Sequence, residues 1–579
     1  MTSNEITKDR IEKLISAFNL DGFDVDEEKD VFLHEGKIGI VATHKTATVG
    51  TTGKKKRVFY MEGSPYDMGY LMGKMAEPEI ERMCTEFNQT IIFDFVSLSI
   101  KDEALRKILG SILDDIFYLL SLDIYPDVPG DYKQELEGML DGCKEVHPST
   151  EVSRHGLWLL NVGIDAALSF IYTLKLPLKK KYPVEIRPEH FRVPIACNGF
   201  AVFGEDNQKN KFHYMGRDFM FPTAGVFQDT ATMIVYRPDQ GLPFVAVAAP
   251  VIIGSIAAVN SEGVGIGVDM SPSGNCNPGR PGINSLLLNR HCIQNSADGE
   301  SAVNLIVQAQ RGVSWNYILA DGKNDTAYIV EAGETTEAID FLSYPPEDLR
   351  EGILKPAEAL LKNPSTPIRR GLMVRGNDYV YPVIYASKFN EALFATFKAN
   401  PKRYEYLLQE KFDYDYQPED FADNGYLNKI WTDKHCPMAH YFAPQREHFD
   451  NLILTTNHFI IPEMRFCSMS PVCNFVAQWN WDDFQWRYDE LHHQLSNALN
   501  QNFSKYNQPF LTYEEAKQII DFLAPYNKYP DYYNKDHKPM DQLSVHGSVS
   551  LLDLKKKTIE SHYGYYSDQW LKISLENYL

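Results

Sequence analysis

The chain is short of basic residues, of long apolar runs and of closely spaced cysteines, and each shortage removes a class of function. Its 579 residues include 57 lysines and arginines against 78 aspartates and glutamates, a formal net charge of −21. A surface of that sign repels phosphate backbones and anionic lipid, so neither nucleic acid nor a charged membrane is an expected partner. The longest apolar stretch, Leu157 to Leu174, contains Asn161 and Asp165. A carboxylate near the bilayer centre costs on the order of 3 kcal/mol, so this stretch is expected as a buried helix and no transmembrane segment is expected. Met1 to Glu28 mixes acids with apolar residues and has no continuous apolar core, which fits an amphipathic helix rather than a secretory signal. The cysteines (Cys84, Cys143, Cys197, Cys276, Cys292, Cys436, Cys467 and Cys473) contain no C-x-x-C pair. That spacing fits reduced thiols in a cytoplasmic protein better than a disulfide scaffold or a zinc site.

Familiar catalytic signatures are missing too. There is no H-E-x-x-H and no G-x-S-x-G, and the adjacent His492 and His493 point to different helix faces. No metal and no other cofactor is expected. Gly50 to Lys56 has the wrong spacing for a phosphate loop and reads as a solvated hairpin tip. The glycines Gly263, Gly265 and Gly267 lack the strand-then-helix setting of a dinucleotide loop and read as a glycine-tolerant strand.

What is present is an ordinary globular mixture, 44% hydrophobic and 23% charged, which argues for a packed core over disorder or coiled coil. Residues 1 to about 175 are helix-rich by pattern. Ser64, Pro65 and Asp67 form a helix start, and a second helix is expected over Lys101 to Leu122. Lys175 to Pro194 carries four prolines and a basic cluster and reads as an exposed linker. Short strands with turn signals follow: Cys197 to Phe203, Lys211 to Gly216, Thr230 to Tyr236, Phe244 to Ala248, Ile256 to Asn260 and Val264 to Asp269. Helices are expected at Ser285 to Gln294 and Ala302 to Gln310. Strands return at Asn316 to Ala320 and Ala327 to Glu331, around an Asp321 to Asp325 turn. About 345 to 450 reads as a helical insertion. Leu452 to Thr456 reads as a strand, Asp482 to Leu499 as a helix, and Gly547 to Leu554 with Thr558 to His562 as a closing hairpin. Sheets, helices and sheets in this order make a layered α+β core.

Cys197 stands at the start of a strand directly after the linker, where a cut would release a new N-terminus. Four stretches in order resemble the cysteine branch of the N-terminal-nucleophile (Ntn) hydrolases. They are Gly63-Ser-Pro-Tyr-Asp-Met-Gly-Tyr70, Cys197-Asn-Gly-Phe-Ala with Gly216-Arg217-Asp218-Phe219, Ala258-Val-Asn-Ser-Glu-Gly-Val-Gly265, and Leu454-Thr-Thr-Asn457-His458-Phe459. Within that branch the chain is most similar to the acyl-coenzyme A:6-aminopenicillanic acid acyltransferase family, over roughly residues 55 to 565.

The resemblance implies a four-layer αββα sandwich with a helical pro-segment, residues 1–196, that self-cleavage between Ala196 and Cys197 separates from a catalytic part, residues 197–579. It implies an amidohydrolase or acyltransferase acting on a linear amide through a thioester on Cys197, with the two fragments remaining as a heterodimer. A free cysteine α-amine, with a pKa of about 7.7–8.0, supplies the base on the same residue as the nucleophile. The expected substrate is a small acyl-amide, with acyl-coenzyme A as a further candidate. By the same resemblance Arg217 lies beside the sulfur, Asn457 donates to the oxyanion, and Arg487 sits near sulfur or substrate. Asn260, Asp269 and His458 are alternatives for further oxyanion or substrate contacts. The family aspartate three residues after the arginine is Met220 here. Asp218 is the nearest substitute, although adjacent strand residues face opposite sides. The competing readings are a phospholipase-B-like esterase on the same scaffold, and a non-catalytic binding protein that kept the fold.

Overall fold

The computed structural model describes residues 3–49, 52–87, 115, 118, 119, 121–173, 196–222, 226–341, 364, 366–380, 448–468, 481–522, 545–564 and 569–579. Helix α1 (Ser3–Leu20) buries Ile11, Leu14 and Phe18, spaced by three and four residues on one stripe. The helical character expected up to residue 175 is then interrupted by four strands: β1 (Phe23–Asp24), β2 (Val31–His34), β3 (Lys37–Thr48) and β4 (Lys55–Gly63). Ile38, Ile40 and Ala42 of β3 are buried on one face and Val41 on the other. A strand covered on both faces lacks the polar alternation by which half-exposed strands are recognised. β3 and β4 pair antiparallel with Thr48 opposite Lys55, and the solvated tip expected over Gly50 to Lys56 is corrected at its end: Lys55 and Lys56 belong to β4, and Lys56 is buried with Nζ donating to the Tyr563 carbonyl.

Helix α2 (Pro65–Arg82) begins as expected. Ser64 Oγ accepts from the Asp67 N–H at 3.2 Å and the Asp67 carboxylate accepts from the Ser64 N–H at 3.0 Å, with Pro65 at the first helical position. It packs on α3 (Gly130–Val146) through Gly69, Gly73, Gly138 and Gly142, where an added Cβ would meet the opposite backbone within 2.2 Å. The apolar stretch after α3 forms a π-turn over Leu159–Gly163 and then α4 (Ile164–Thr173). Its polar residues are buried and bonded. Asn161 donates to the Leu157 and Val251 carbonyls and accepts from the Ile253 N–H, and Asp165 accepts from the Ser285 N–H at 2.8 Å. Among the described residues no helix is long and apolar enough to cross a membrane.

The remaining elements largely follow the sequence pattern. They are β5 (Ala196–Glu205), β6 (Lys211–Pro222), β7 (Thr232–Pro238), β8 (Phe244–Ala248), β9 (Ala257–Asn260), β10 (Val264–Met270), α5 (Ser285–Asn295), α6 (Gly299–Gln308), β11 (Trp315–Asp321) and β12 (Thr326–Ala332). Then come β13 (Leu372–Gly376), β14 (Leu452–Thr455), α7 (Trp481–Tyr506), α8 (Tyr513–Phe522), β15 (Val545–Asp553), β16 (Thr558–Tyr563) and β17 (Leu571–Ser574). β13 corrects the helical expectation for 345–450, because the Leu372–Gly376 run pairs with β12. Residues 381–447 of that region, most of Lys101 to Leu122 and the whole Lys175 to Pro194 segment lie outside the described residues.

Two sheets result. One has eleven strands in the order β1-β3-β4-β7-β8-β9-β10-β11-β12-β13, with β2 on β3; the other has six, β14-β5-β6-β15-β16-β17. β4 and β7 pair in parallel, so residues before and after 197 share one sheet. From β7 to β12 the chain runs as an antiparallel meander. β5 and β6 face β10 and β11 across the sandwich. Helices α2, α5 and α6 cover the outside of the larger sheet, and α7 and α8 cover the outside of the smaller one. The layer order is αββα.

Candidate active site

Alternation along β5 and β6 sorts the candidate residues onto two faces. The two strands pair with Cys197 opposite Phe219, Asn198 opposite Asp218 and Gly199 opposite Arg217. Directly opposed residues share a face and neighbours along a strand do not. Cys197, Gly199, Arg217 and Phe219 therefore look into the sandwich, and Asn198, Asp218 and Met220 look toward α7.

On the inner face, Arg217 is fully buried and bridges to the facing sheet. Its Nη1 lies 2.9 Å from Asp269 Oδ1 on β10 and donates to the Asn198 carbonyl at 3.2 Å, and the guanidinium also donates to the carbonyls of Asp218 and Val268. Space for this side chain exists because position 267 is glycine; an added Cβ there would lie 2.8 Å from Arg217 Cδ. Burial pushes the Cys197 thiol up, and the Arg217 charge opposes that shift. Asp269 is pushed up to about 6, again by burial, with Arg217 holding it lower. The Cys197 sulfur lies 3.9 Å from the Met220 carbonyl.

On the outer face, Asp218 accepts from Asn198 Nδ2 at 3.1 Å, and Arg487 of α7 donates to the Asn198 side-chain oxygen and to the Cys197 carbonyl at 2.8 Å. Asp218 thus stands across the sheet from the sulfur, and Arg217 touches only its backbone oxygen. Met220 belongs to the apolar cluster beneath α7. The carboxylate beside Arg217 is Asp269, from the other sheet.

Asn457 occupies a turn just after β14. Its Oδ1 accepts from the Cys197 N–H at 2.7 Å and from Arg487 Nη2 at 3.0 Å, and its Nδ2 donates to the Met270 carbonyl at 2.8 Å. Both groups facing Oδ1 are donors, which fixes the carboxamide orientation. The amide that the resemblance assigns to an oxyanion therefore grips the Cys197 nitrogen. His458 Nδ1 pairs with Thr456 Oγ1 at 2.7 Å and its ring meets Tyr488 edge-on, which turns the imidazole toward α7. Asn260 is engaged elsewhere: it donates to the Ile293 and Ser296 carbonyls and accepts from the N–H groups of Glu262 and Val264, so it pins the β9–β10 turn to the end of α5.

The structure thus gathers Cys197, Arg217, Asp269, Asn457 and Arg487, sets Asp218 behind the strand, and keeps Asn260 out. Sequence reasoning missed Asn316 and Glu331, two polar residues within otherwise apolar strands, a pattern that signals a required hydrogen bond once burial is known. Among the described residues one group, Glu77, Glu81 and His147, brings three metal-capable atoms within 4.8 Å of one another. Its members are bonded already: His147 to Glu77 at 3.1 Å, and Glu81 to Thr150 Oγ1 and the Glu151 N–H.

No family model matches this chain. An uncharacterized protein of Archaeoglobus fulgidus is 28% identical over 345 residues, 58% of this chain and 53% of that protein, so the match spans about half of the relative's length. Among solved structures, a Caenorhabditis elegans ortholog of N-acylethanolamine-hydrolyzing acid amidase aligns at a TM-score of 0.20 and 10% identity, covering 23% of this chain and 59% of that one. A mutant and a variant of the conjugated bile acid hydrolase of Clostridium perfringens align at TM-scores of 0.30 and 0.31, each at 10% identity over 65% of this chain and 92% of theirs.

Proposed function

We propose that the chain is a self-cleaving cysteine amidohydrolase whose nucleophile is Cys197. The observation that carries this reading is the grip on the Cys197 backbone: its N–H on Asn457 Oδ1 at 2.7 Å, its carbonyl on Arg487 at 2.8 Å, and Arg217 on the same face of the β5–β6 pair as its sulfur. Every buried strand residue needs partners for its N–H and C=O, but at Cys197 both partners are side chains, from residues 260 and 290 positions away, rather than a neighbouring strand. Such partners suit a residue whose own nitrogen must become a catalytic amine.

In the first step the Cys197 sulfur attacks the Ala196 carbonyl carbon. The new S–C bond replaces the C–N bond, and the thiol proton passes to the departing nitrogen. Water then opens the thioester, leaving a carboxylate on Ala196 and returning a proton to sulfur. The freed α-amine stays on Asn457 and serves as base for the second reaction, in which a linear acyl-amide acylates the same sulfur and releases its amine with a proton. Arg217 favours the thiolate by charge and is held by Asp269, while the amine-holding role that the resemblance gives to the aspartate absent at Met220 falls to Asn457. Hydrolysis by water completes the cycle; transfer to a second amine, or acylation from acyl-coenzyme A, uses the same thioester. The fragments stay together as a heterodimer because β4 remains paired with β7.

Intact-mass analysis of purified protein tests this. Wild type is expected as two fragments split before Cys197, and Cys197→Ala as one uncut chain. A single uncut chain in both overturns the proposal.

A further inference from the structure

We infer that Asn316 is a positioning residue for this site, holding the turn that presents Asn457 to the Cys197 nitrogen; the inference rests on the reading above. Asn316 is fully buried on β11, and its Nδ2 donates to the carbonyls of Thr456 at 3.0 Å and His458 at 2.9 Å, the two residues that bracket Asn457. Both of its amide hydrogens are spent on this one turn. The turn needs an external hold, because the β14–β5 ladder ends at Thr455 opposite Gly199 and Asn457 lies beyond it.

Asn316 is the middle of a polar row that crosses three adjacent strands. It stands opposite Asp269 on β10 and opposite Glu331 on β12, so the three side chains share the inner face of the larger sheet. At the usual strand spacing of about 4.8 Å the row is roughly 10 Å long. Each member grips the smaller sheet or the chain leaving it. Asp269 holds Arg217 beside the sulfur, Asn316 holds the carbonyls on either side of Asn457, and Glu331 accepts from the N–H groups of Ile460 and Ile461. Glu331 also pairs with Arg375 at 2.9 Å, whose other nitrogen donates to the Leu454 carbonyl. The chain from 454 to 461 is therefore held at both ends and in the middle, and the middle grip decides where the Asn457 carboxamide points. A carboxamide displaced by about 1 Å loses its hydrogen bond, a shift that typically costs about 10²-fold in rate.

The test is the rate of fragment appearance during cell-free synthesis, which needs no added substrate, in wild type, Asn316→Ala, Asn457→Ala and the double variant. Asn316→Ala is expected to slow cleavage about 100-fold, and to slow it no further in the Asn457→Ala background, because it acts only through Asn457. Asn316→Ser, which keeps one donor, is expected between wild type and Asn316→Ala, and it is the variant to read if alanine prevents folding, as judged by thermal unfolding. Losses that add in the double variant, or wild-type cleavage in Asn316→Ala and Asn316→Ser while Cys197→Ala is inert, overturn this inference and leave the nucleophile assignment standing. A wild type that never cleaves overturns both.

Discussion

Replacing Gly267 by alanine gives a sharp test of the contact between the two sheets at the site. The added Cβ would lie 2.8 Å from Arg217 Cδ and 3.0 Å from Arg217 Nε. Carbon atoms rest at about 3.5–4.0 Å, so the strands must part or the arginine must move by about 1 Å. Arg217 is a poor candidate for movement: it is fully buried, 2.9 Å from Asp269 and 3.2 Å from the Asn198 carbonyl, with further bonds to the Asp218 and Val268 carbonyls. Overpacking of this kind costs about 1–3 kcal/mol, and one lost hydrogen bond to a charged group adds about 1.5–3. Against these stands a gain of roughly 0.5–1 kcal/mol for removing glycine from a strand. The expected net loss is about 1.5–5.5 kcal/mol, read by urea unfolding, together with slower fragment formation at Cys197. Gly265→Ala is the control. It faces the same layer two residues away, but its Cβ would meet the movable ends of Leu554 and Met215 at 2.8 and 3.0 Å. It is expected to cost under about 1.5 kcal/mol and to leave Cys197 cleavage unchanged. Equal stability and equal cleavage in the two alanine variants would refute the placement of Arg217 between the sheets.

Asp269→Asn removes a negative charge that raises the Cys197 thiol, so the pH midpoint for iodoacetamide alkylation of Cys197, followed by peptide mass analysis, is expected to move down. Asp218→Asn, on the outer face, is expected to leave it in place. Asp165 is pushed up to about 7 from an ordinary 3.8 by burial. Its protonated form is thus favoured in the folded chain, and the stability it contributes is complete below pH 3.8 and lost as pH rises to about 7. Asp165→Asn is expected to flatten the wild-type fall in stability across that window, by up to about 4 kcal/mol at 1.36 kcal/mol per pKa unit, in urea midpoints measured from pH 4 to 8; parallel curves for the two proteins would refute it.

Local patterns carried most of the fold because the physics behind them is local. The Ser64 and Asp67 cap, the strand at Phe244–Ala248 and the turn from Asp321 to Asp325 all depend on residues within a few positions of one another. The N-terminal strands from 23 to 63 escaped the same reading. The first half of β3, residues 38–42, is buried on both faces, so its sequence carries no alternation, and β4 finds its partner β7 more than 150 residues away. Period-two alternation did place Asp218 opposite to Arg217 in side-chain direction, and the β5–β6 register agrees. What alternation cannot supply is the layer that faces Arg217.

That limit accounts for the carboxylate. A search along β6 finds Asp218 on the opposite face from Arg217 and an apolar residue, Met220, three positions after it, and by that route Arg217 has no carboxylate partner. The acid that pairs with Arg217 comes from β10, brought within 2.9 Å of it by a sheet-to-sheet approach that glycine at 267 permits. Buried guanidinium groups require an anion or several carbonyls nearby, since the cost of leaving one unpaired is several kcal/mol. Arg217 has both, and the anion stands on the sulfur's side of the strand. The buried cation of Arg217 therefore demands an acid from another strand, and that demand is the feature by which its partner could be sought in sequence: an acid inside an otherwise apolar strand, two residues beyond a glycine.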